Sequence, residues 1–157
     1  MEFGLSSEQI LLQDSVNRFL AEQVPLDVVR KIATDDSSDA NCWGGLTDLG
    51  IPGLLISEAN GGLGLSSLDA AVVSELLGYH VTPSPFISSS VIAPATMQAA
   101  GRGEDLLGSV ATGETRIGIA FAEGIASRNN AGLSVDGGKI SGKSLFALDS
   151  DANYYLV

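Results

Sequence analysis

The residues of this chain that invite chemistry fall into a few short patterns. Gly137-Gly138-Lys139-Ile140-Ser141-Gly142-Lys143-Ser144 satisfies G-x-x-x-x-G-K-[ST], a spacing that wraps backbone N–H groups and a lysine around phosphates. That chemistry needs a strand before the loop and a helix after it, so that the helix N-terminus faces the anion. Here Asp136-Gly137-Gly138 is a tight-hairpin signal and Leu145 to Leu148 reads as strand, which argues against a nucleotide site. Gly61-Gly62-Leu63-Gly64 is not the dinucleotide fingerprint G-x-G-x-x-G, and no βαβ unit adjoins it. His80 is the single histidine, so no metal pair or nucleophilic triad includes a second one. Ser88, Ser89 and Ser90 read as a helix start. Cys42 is the lone cysteine, which excludes an internal disulfide and a cysteine-based metal site. Glu58, Glu75 and Glu114 read as solvated carboxylates, and no spacing places any of them at a substrate. No catalytic residue and no metal ligand is assigned.

Helices must position whatever these residues do in the first two thirds of the chain. Ser6 and Gln9 form a capping-box pattern, and Leu12, Val16, Phe19, Leu20 and Val24 follow at helical spacing. A shorter helix is predicted through Val28, Val29 and Ile32, then a polar linker, Asp35-Asp36-Ser37-Ser38-Asp39. Trp43 to Leu49 is a third helix, which Gly50 stops and Pro52 prevents from continuing. The apolar run Leu54-Leu55-Ile56 buries, and Gly61, Gly62 and Gly64 make a turn that side chains would obstruct. Ser66 with Asp69 opens a fourth helix whose core face reads as Leu68, Val72, Leu76 and Tyr79. Pro83 and Pro85 force an extended bend. Ser88 to Ala100 is a fifth helix, kinked or split near Ala93 by Pro94, and Asp105 to Ala111 is a sixth.

At Thr115 the period changes. Ile117, Ile119 and Phe121 alternate with small residues, Leu133 and Val135 alternate next, and strands follow around Ile140 to Leu148 and Tyr154 to Val157. The expectation is an α+β chain: an N-terminal all-α helical bundle over residues 1–113, then an incomplete antiparallel β domain over 114–157. So few strands rarely form a stable sheet alone, so more chain or another subunit is expected to cover the exposed edge.

Composition narrows the partners. The 157 residues carry 19 acidic against 8 basic groups, a net charge of −11. That field repels nucleic acid and anionic lipid, and both partner classes are set aside. No secretory leader pattern and no apolar run of membrane-spanning length is present, so a soluble, cytoplasmic protein is expected.

The order helix stop, apolar run and glycine turn in Thr47–Leu65, TDLGIPGLLISEANGGLGL, closely resembles a segment of acyl-CoA dehydrogenases, which are FAD-dependent flavoenzymes. FGLSSEQILLQDSVNRFLAE resembles the first helix of that family, and Pro83-Ser84-Pro85-Phe86 and Ala111-Thr112-Gly113-Glu114 fit as well. The likeness is to a divergent branch, some of whose members work as unequal paired subunits. It implies FAD, an acyl-CoA substrate, and a homo- or hetero-oligomer with another acyl-CoA dehydrogenase-like chain.

The resemblance also implies site residues. Phe121 and Ala122 stand at the end of the family's first flavin strand, with Ala122 replacing a Thr whose hydroxyl meets the flavin ring. Phe146 and Leu148 stand in the second flavin strand, Phe146 as the stacking aromatic and Leu148 where a hydroxyl is expected. Arg128 stands in the motif that follows the first flavin strand, where the family has Ser, and is the substrate-binding candidate. The family's base is a Glu from a C-terminal helical domain, which this sequence does not contain. Two functions follow: FAD-linked α,β-dehydrogenation of an acyl-CoA thioester within a larger assembly, or a non-catalytic partner subunit that supports an interface or substrate pocket without binding flavin itself.

Overall fold

The computed structural model describes residues 4–34, 40–121 and 132–157. Helix α1, Ser7–Gln23, begins with a reciprocal cap: the Ser6 hydroxyl accepts the Gln9 N–H at 3.2 Å, and the Gln9 side chain accepts the Ser6 N–H at 3.0 Å. Its Val16 and Leu20 are wholly buried. Helix α2, Leu26–Thr34, buries no residue fully. Helix α3, Ala40–Asp48, sends Cys42, Trp43 and Leu46 into the core. The Trp43 indole N–H donates to the Gly113 carbonyl at 3.1 Å, tying α3 to the segment that leads into the strands. The expected polar linker at Asp35–Asp39 lies outside the described residues.

Gly50 stops α3 in the left-handed region, φ +74°, and a single 3₁₀ turn, Ile51–Gly53, follows at Pro52. Residues 63–65 then fold back on this run. Leu63, Gly64 and Leu65 donate their N–H groups to the carbonyls of Gly53, Ile56 and Leu54 at 2.8–2.9 Å. A side chain on Gly62 would collide with the Ile56 carbonyl, which is why the turn needs glycine there. Gln98 locks the turn from outside. Its Oε1 accepts the Ser57 N–H at 3.0 Å, and its Nε2 donates to the carbonyls of Leu55 and Pro94 at 3.0 and 3.2 Å.

Helix α4, Ser67–Tyr79, packs on α1. The Ser66 N–H and hydroxyl both donate to Asp69, at 2.8 and 2.5 Å, and Gln9 Nε2 adds a bond from α1 at 3.1 Å. The buried face is Ala70, Val72, Val73, Leu76 and Leu77, whereas Leu68 and Tyr79 are exposed. Apolar residues surround this helix, so spacing alone did not single out the inward stripe. The predicted fifth helix divides at Ala93, as the proline suggests. Residues Phe86–Ile92 form a π-helical stretch and Ala93–Ala100 form α5. Pro94 has no N–H to offer the preceding turn, and Ala93 instead donates to Ser88, five residues back. A 3₁₀ turn, Glu104–Leu106, leads into the short α6, Leu107–Ala111.

The strands follow the helices, as expected, but their pairing is mixed. β1, Ile117–Ile119, runs parallel to β4, Tyr154–Leu156, in the register Ile117↔Tyr154, Gly118↔Tyr155, Ile119↔Leu156. β2, Gly132–Asp136, and β3, Lys139–Lys143, form the antiparallel hairpin across Gly137-Gly138. Residues 144–153 pass along the other side of β1, touching it through one antiparallel bridge, Ile119↔Leu148, and then turn so that β4 returns alongside. That crossing makes the β1–β4 pair parallel. It also corrects the reading of Leu145 to Leu148 as strand, since only Leu148 is bridged.

Two hydrophobic clusters hold these elements. One joins Val16, Leu20, Trp43, Leu46, Leu54, Val73 and Phe86. The other joins Ile56, Ala93, Met97, Leu107 and Val110 to Ile117 and Ile119 of β1. Each fully buried Leu, Ile or Phe contributes roughly 1.5–3 kcal/mol relative to exposure. Among the described residues, no helix is long and apolar enough to cross a membrane.

Candidate functional site

The phosphate-loop pattern is a hairpin turn. Gly137-Gly138 joins β2 to β3, and no helix follows Ser144 among the described residues, so its N–H groups do not converge on an anion. Glu58, Glu75 and Glu114 are exposed. His80 is half-buried, with its Nε2 2.9 Å from Asn17 Oδ1 and its ring edge-on to Tyr79. Among the described residues no group of three His, Cys, Asp or Glu side chains could hold a metal ion. The three serines do not merely begin a helix. Ser88, Ser89 and Ser90 are all buried; the Ser88 hydroxyl donates to the Pro85 carbonyl, and Ser89 Oγ accepts the Ile117 N–H at 3.0 Å. Ser89 thus anchors β1 to the helices.

Of the expected site residues, Leu148 is the one bridged to β1, and Phe121 follows the strand by two residues. The Ile119 N–H donates to the Leu148 carbonyl at 3.0 Å, and the Leu148 N–H donates back at 2.8 Å. Continuing that antiparallel register by two residues would set Phe121 opposite Phe146. A left-handed φ of +58° at Phe146 breaks the ladder before that pair forms. Phe121, Phe146 and Leu148 are exposed, Phe146 at 79%. The segment that pairs with β1 thus carries exposed aromatic and apolar side chains. Ala122 and Arg128 lie outside the described residues.

The donor set at this end is sparse. Leu148 has no side-chain hydroxyl, and both of its peptide groups are taken by Ile119. The Ser144 hydroxyl is buried without a hydrogen-bond partner. An exposed phenyl ring next to exposed apolar side chains suits the face of a planar heteroaromatic ring, held chiefly by stacking.

Beneath this end lies a contact that sequence reasoning missed. The Arg116 guanidinium forks onto Asp149, with Nε to Oδ2 at 2.9 Å and Nη2 to Oδ1 at 2.7 Å. The Asp149 side chain is 3% exposed. Asn153 brackets the Arg116 backbone, its Oδ1 accepting the Arg116 N–H at 2.8 Å and its N–H donating to the Arg116 carbonyl at 3.0 Å. No spacing rule links residues 33 positions apart, so only the fold reveals the pair.

A second concavity was also missed. A groove of about 430 Å³ runs between the end of α4 and the proline bend, lined by Leu77, Val81, Thr82, Ser84, Phe86 and Ile87. Val81 sits at φ +53°, a strained conformation for a β-branched residue, and the Thr82 hydroxyl is buried without a partner. Its walls are mostly apolar with a few hydroxyls, which fits an apolar group carrying a polar end. In the sequence, Pro83 and Pro85 read as an extended bend, with no groove read from it.

Comparison with known proteins gives the following. The family described as "Acyl-CoA dehydrogenase, N-terminal domain" matches residues 6–113. The chain is similar to the acyl-CoA dehydrogenase IpdE2 of Mycolicibacterium smegmatis, 32% identical over 104 residues, covering 65% of this chain and 33% of that protein. Among solved structures it is similar to a steroid ACAD variant of Tcur3481-Tcur3483, with TM-score 0.67 and 30% identity over 73% of this chain and 32% of the other. It shares its fold with PigA solved as an FAD complex, at TM-score 0.71 and 21% identity, over 94% of this chain and 42% of that one. The chain spans about a third of the length of the curated relatives it matches.

Proposed function

The chain belongs to the acyl-CoA dehydrogenase family, and from that premise we propose that it serves FAD-linked α,β-dehydrogenation of an acyl-CoA thioester as part of a larger assembly. In this reading residues 1–113 are the N-terminal helical domain and 114–157 open the β domain. The observation that supports it is the bridge of Leu148 to Ile119 on β1, a strand whose Ile117 and Ile119 pack into the helical core. Phe146 would hold FAD by stacking, with Phe121 and Leu148 as the apolar floor and Ala122 beside them. Bound FAD would supply the acceptor for the hydride leaving the β-carbon. Arg128 is proposed to meet the anionic coenzyme A portion against the acidic field of the chain. The groove at Val81–Ile87 would take the apolar acyl group and exclude water from it. The base that removes the α-proton is proposed to come from elsewhere in the assembly, since Glu58, Glu75 and Glu114 are exposed and the buried side chains of Asp69 and Asp149 are held by Ser66 and Arg116.

One observation favours a second reading, a partner subunit that binds no flavin itself. Leu148 offers neither a hydroxyl nor a free peptide group, so polar contacts to the ring would have to come from another chain. The Tcur3481-Tcur3483 name joins two chains, which supports a hetero-oligomer with an acyl-CoA dehydrogenase-like sibling. Titrating FAD into the purified chain, alone and mixed with such a sibling, separates the readings. Flavin absorbance retained by the chain, and bleached by acyl-CoA in the assembly, supports the first. Flavin retained equally by the sibling without this chain supports the second. No retained flavin in any mixture overturns both.

A further inference from the structure

We infer that Arg116 is a positioning residue, which acts through Asp149 to fix the Phe146–Leu148 segment against β1 and so sets the surface offered to a flavin ring. The inference rests on the flavin reading above for its functional half, while its structural half stands on contacts in this chain. Phe146 and Asp149 are both non-glycine residues in the left-handed region, at φ +58° and +63°. Such conformations persist only where the surroundings over-determine them. Between them the segment meets β1 through a single bridge, the reciprocal pair Ile119–Leu148. What fixes the C-terminal end of that bridge is the fork of Arg116 onto Asp149, at 2.9 and 2.7 Å.

Three features make this a fixture rather than a surface ion pair. The Asp149 side chain is almost wholly buried, and the Arg116 side chain is 18% exposed. The Asp149 Oδ1 that accepts from Arg116 also accepts the Asp151 N–H at 3.3 Å, which shapes the turn after it. Asn153, just before β4, holds the Arg116 backbone, so the guanidinium is aimed from a fixed base. The Tyr155 hydroxyl donates to the Ser150 carbonyl at 2.7 Å and closes the same turn over Gly118, where any Cβ would come within 2.6 Å of the Tyr155 ring. A planar fork satisfies both carboxylate oxygens at one orientation, and a lysine ammonium, a point charge, does not. Charge alone is therefore insufficient; the orientation of the segment depends on the guanidinium.

The test compares the full chain with Arg116→Lys and Arg116→Gln by amide hydrogen exchange, read at the Leu148 N–H and at Val73 in α4. Arg116→Lys is expected to speed exchange at Leu148 about tenfold with no change at Val73, because only the local fixture is loosened. Arg116→Gln is expected to speed it further; should that variant fail to fold, the lysine variant still decides. Leu148 exchange in Arg116→Lys equal to the wild type overturns the inference, since neutralising Asp149 would then suffice. In parallel, FAD titration with the sibling chain present should show affinity about tenfold weaker in Arg116→Lys at an unchanged thermal midpoint. Unchanged FAD affinity beside faster Leu148 exchange overturns the functional half. Absence of FAD binding by the wild type in every mixture overturns the flavin reading, and the exchange arm still decides the fixture.

Discussion

Gln98→Leu should destabilise the chain by about 2 kcal/mol, although it leaves the size of the side chain nearly unchanged. The wild-type amide bridges three backbone groups, accepting the Ser57 N–H and donating to the carbonyls of Leu55 and Pro94. Pro94 lies one turn earlier in the same helix, so losing that bond matters least. Ser57 and Leu55 sit on the apolar run that the glycine turn folds over, and they have no such substitute. Each is half-buried. A buried group left unpaired costs about 1–3 kcal/mol, and partial access to water holds each of these near the lower end. Two such groups give the total, which for a chain of this size corresponds to a midpoint lowered by about 4–8 °C. Gln98→Glu keeps the acceptor for Ser57 but points a carboxylate at the Leu55 carbonyl, and its loss should match or exceed that of the leucine variant. Thermal and urea denaturation measure the total, and hydrogen exchange at the Ser57 amide measures the local term. A midpoint shift under about 1 °C with unchanged Ser57 exchange would refute the view that Gln98 holds the turn.

Glycine substitutions should diverge. Gly62→Ala would set a Cβ against the Ile56 carbonyl and 2.5 Å from its Cβ, costing about 2 kcal/mol, while Gly44→Ala in α3 meets nothing within 4 Å and should be neutral or gain up to about 1 kcal/mol. Equal midpoints for the two variants would contradict this. Burial opposes the Asp69 charge, yet the Ser66 hydroxyl, the Ser66 N–H and the Gln9 amide overrule it and hold its carboxyl below the usual aspartate range. Stability from such a depressed group is fully present above its unfolded pKa and is lost as pH falls through its folded pKa. Asp69→Asn should therefore cost stability near about pH 6 and progressively less in strong acid; urea midpoints with a constant gap down to about pH 2.5 would count against it. Leu148→Thr restores a hydroxyl at the end of β1 and should tighten FAD binding about fivefold, the worth of one added hydrogen bond of about 1 kcal/mol. An unchanged titration would show that the missing hydroxyl is not what limits binding.

Much of the helical part was legible because its signals are local. The Ser6–Gln9 cap, the Gly50 stop and the split at Ala93 each depend on residues within one turn, and each stands where the spacing put it. The inward face of α4 was misjudged because both sides of that helix are apolar, and packing against α1 decides between them. The hairpin at Gly137-Gly138 was equally readable, whereas the parallel pairing of β1 with β4 was not. That pairing depends on a return path between residues far apart in the chain. The candidate site shows the same divide. Phe121, Phe146 and Leu148 were identified through the family resemblance, and the structure places Leu148 beside Ile119. The contacts of Arg116 with Asp149 and of Gln98 with Leu55 and Ser57 emerge only when distant segments are brought together.

Ile117 and Ile119 complete the hydrophobic cluster of Ile56, Met97, Leu107 and Val110, and Ser89 holds the start of β1, yet the bonds along the rest of the strand reach forward to Leu148 and Leu156. During synthesis the helices emerge before β4, and this side of the seam stays open until β4 is released. The seam is therefore the stretch most exposed to misassociation in a nascent chain. Its closure is the step whose rate should depend on contacts distant in sequence, while the capped helices form early and locally.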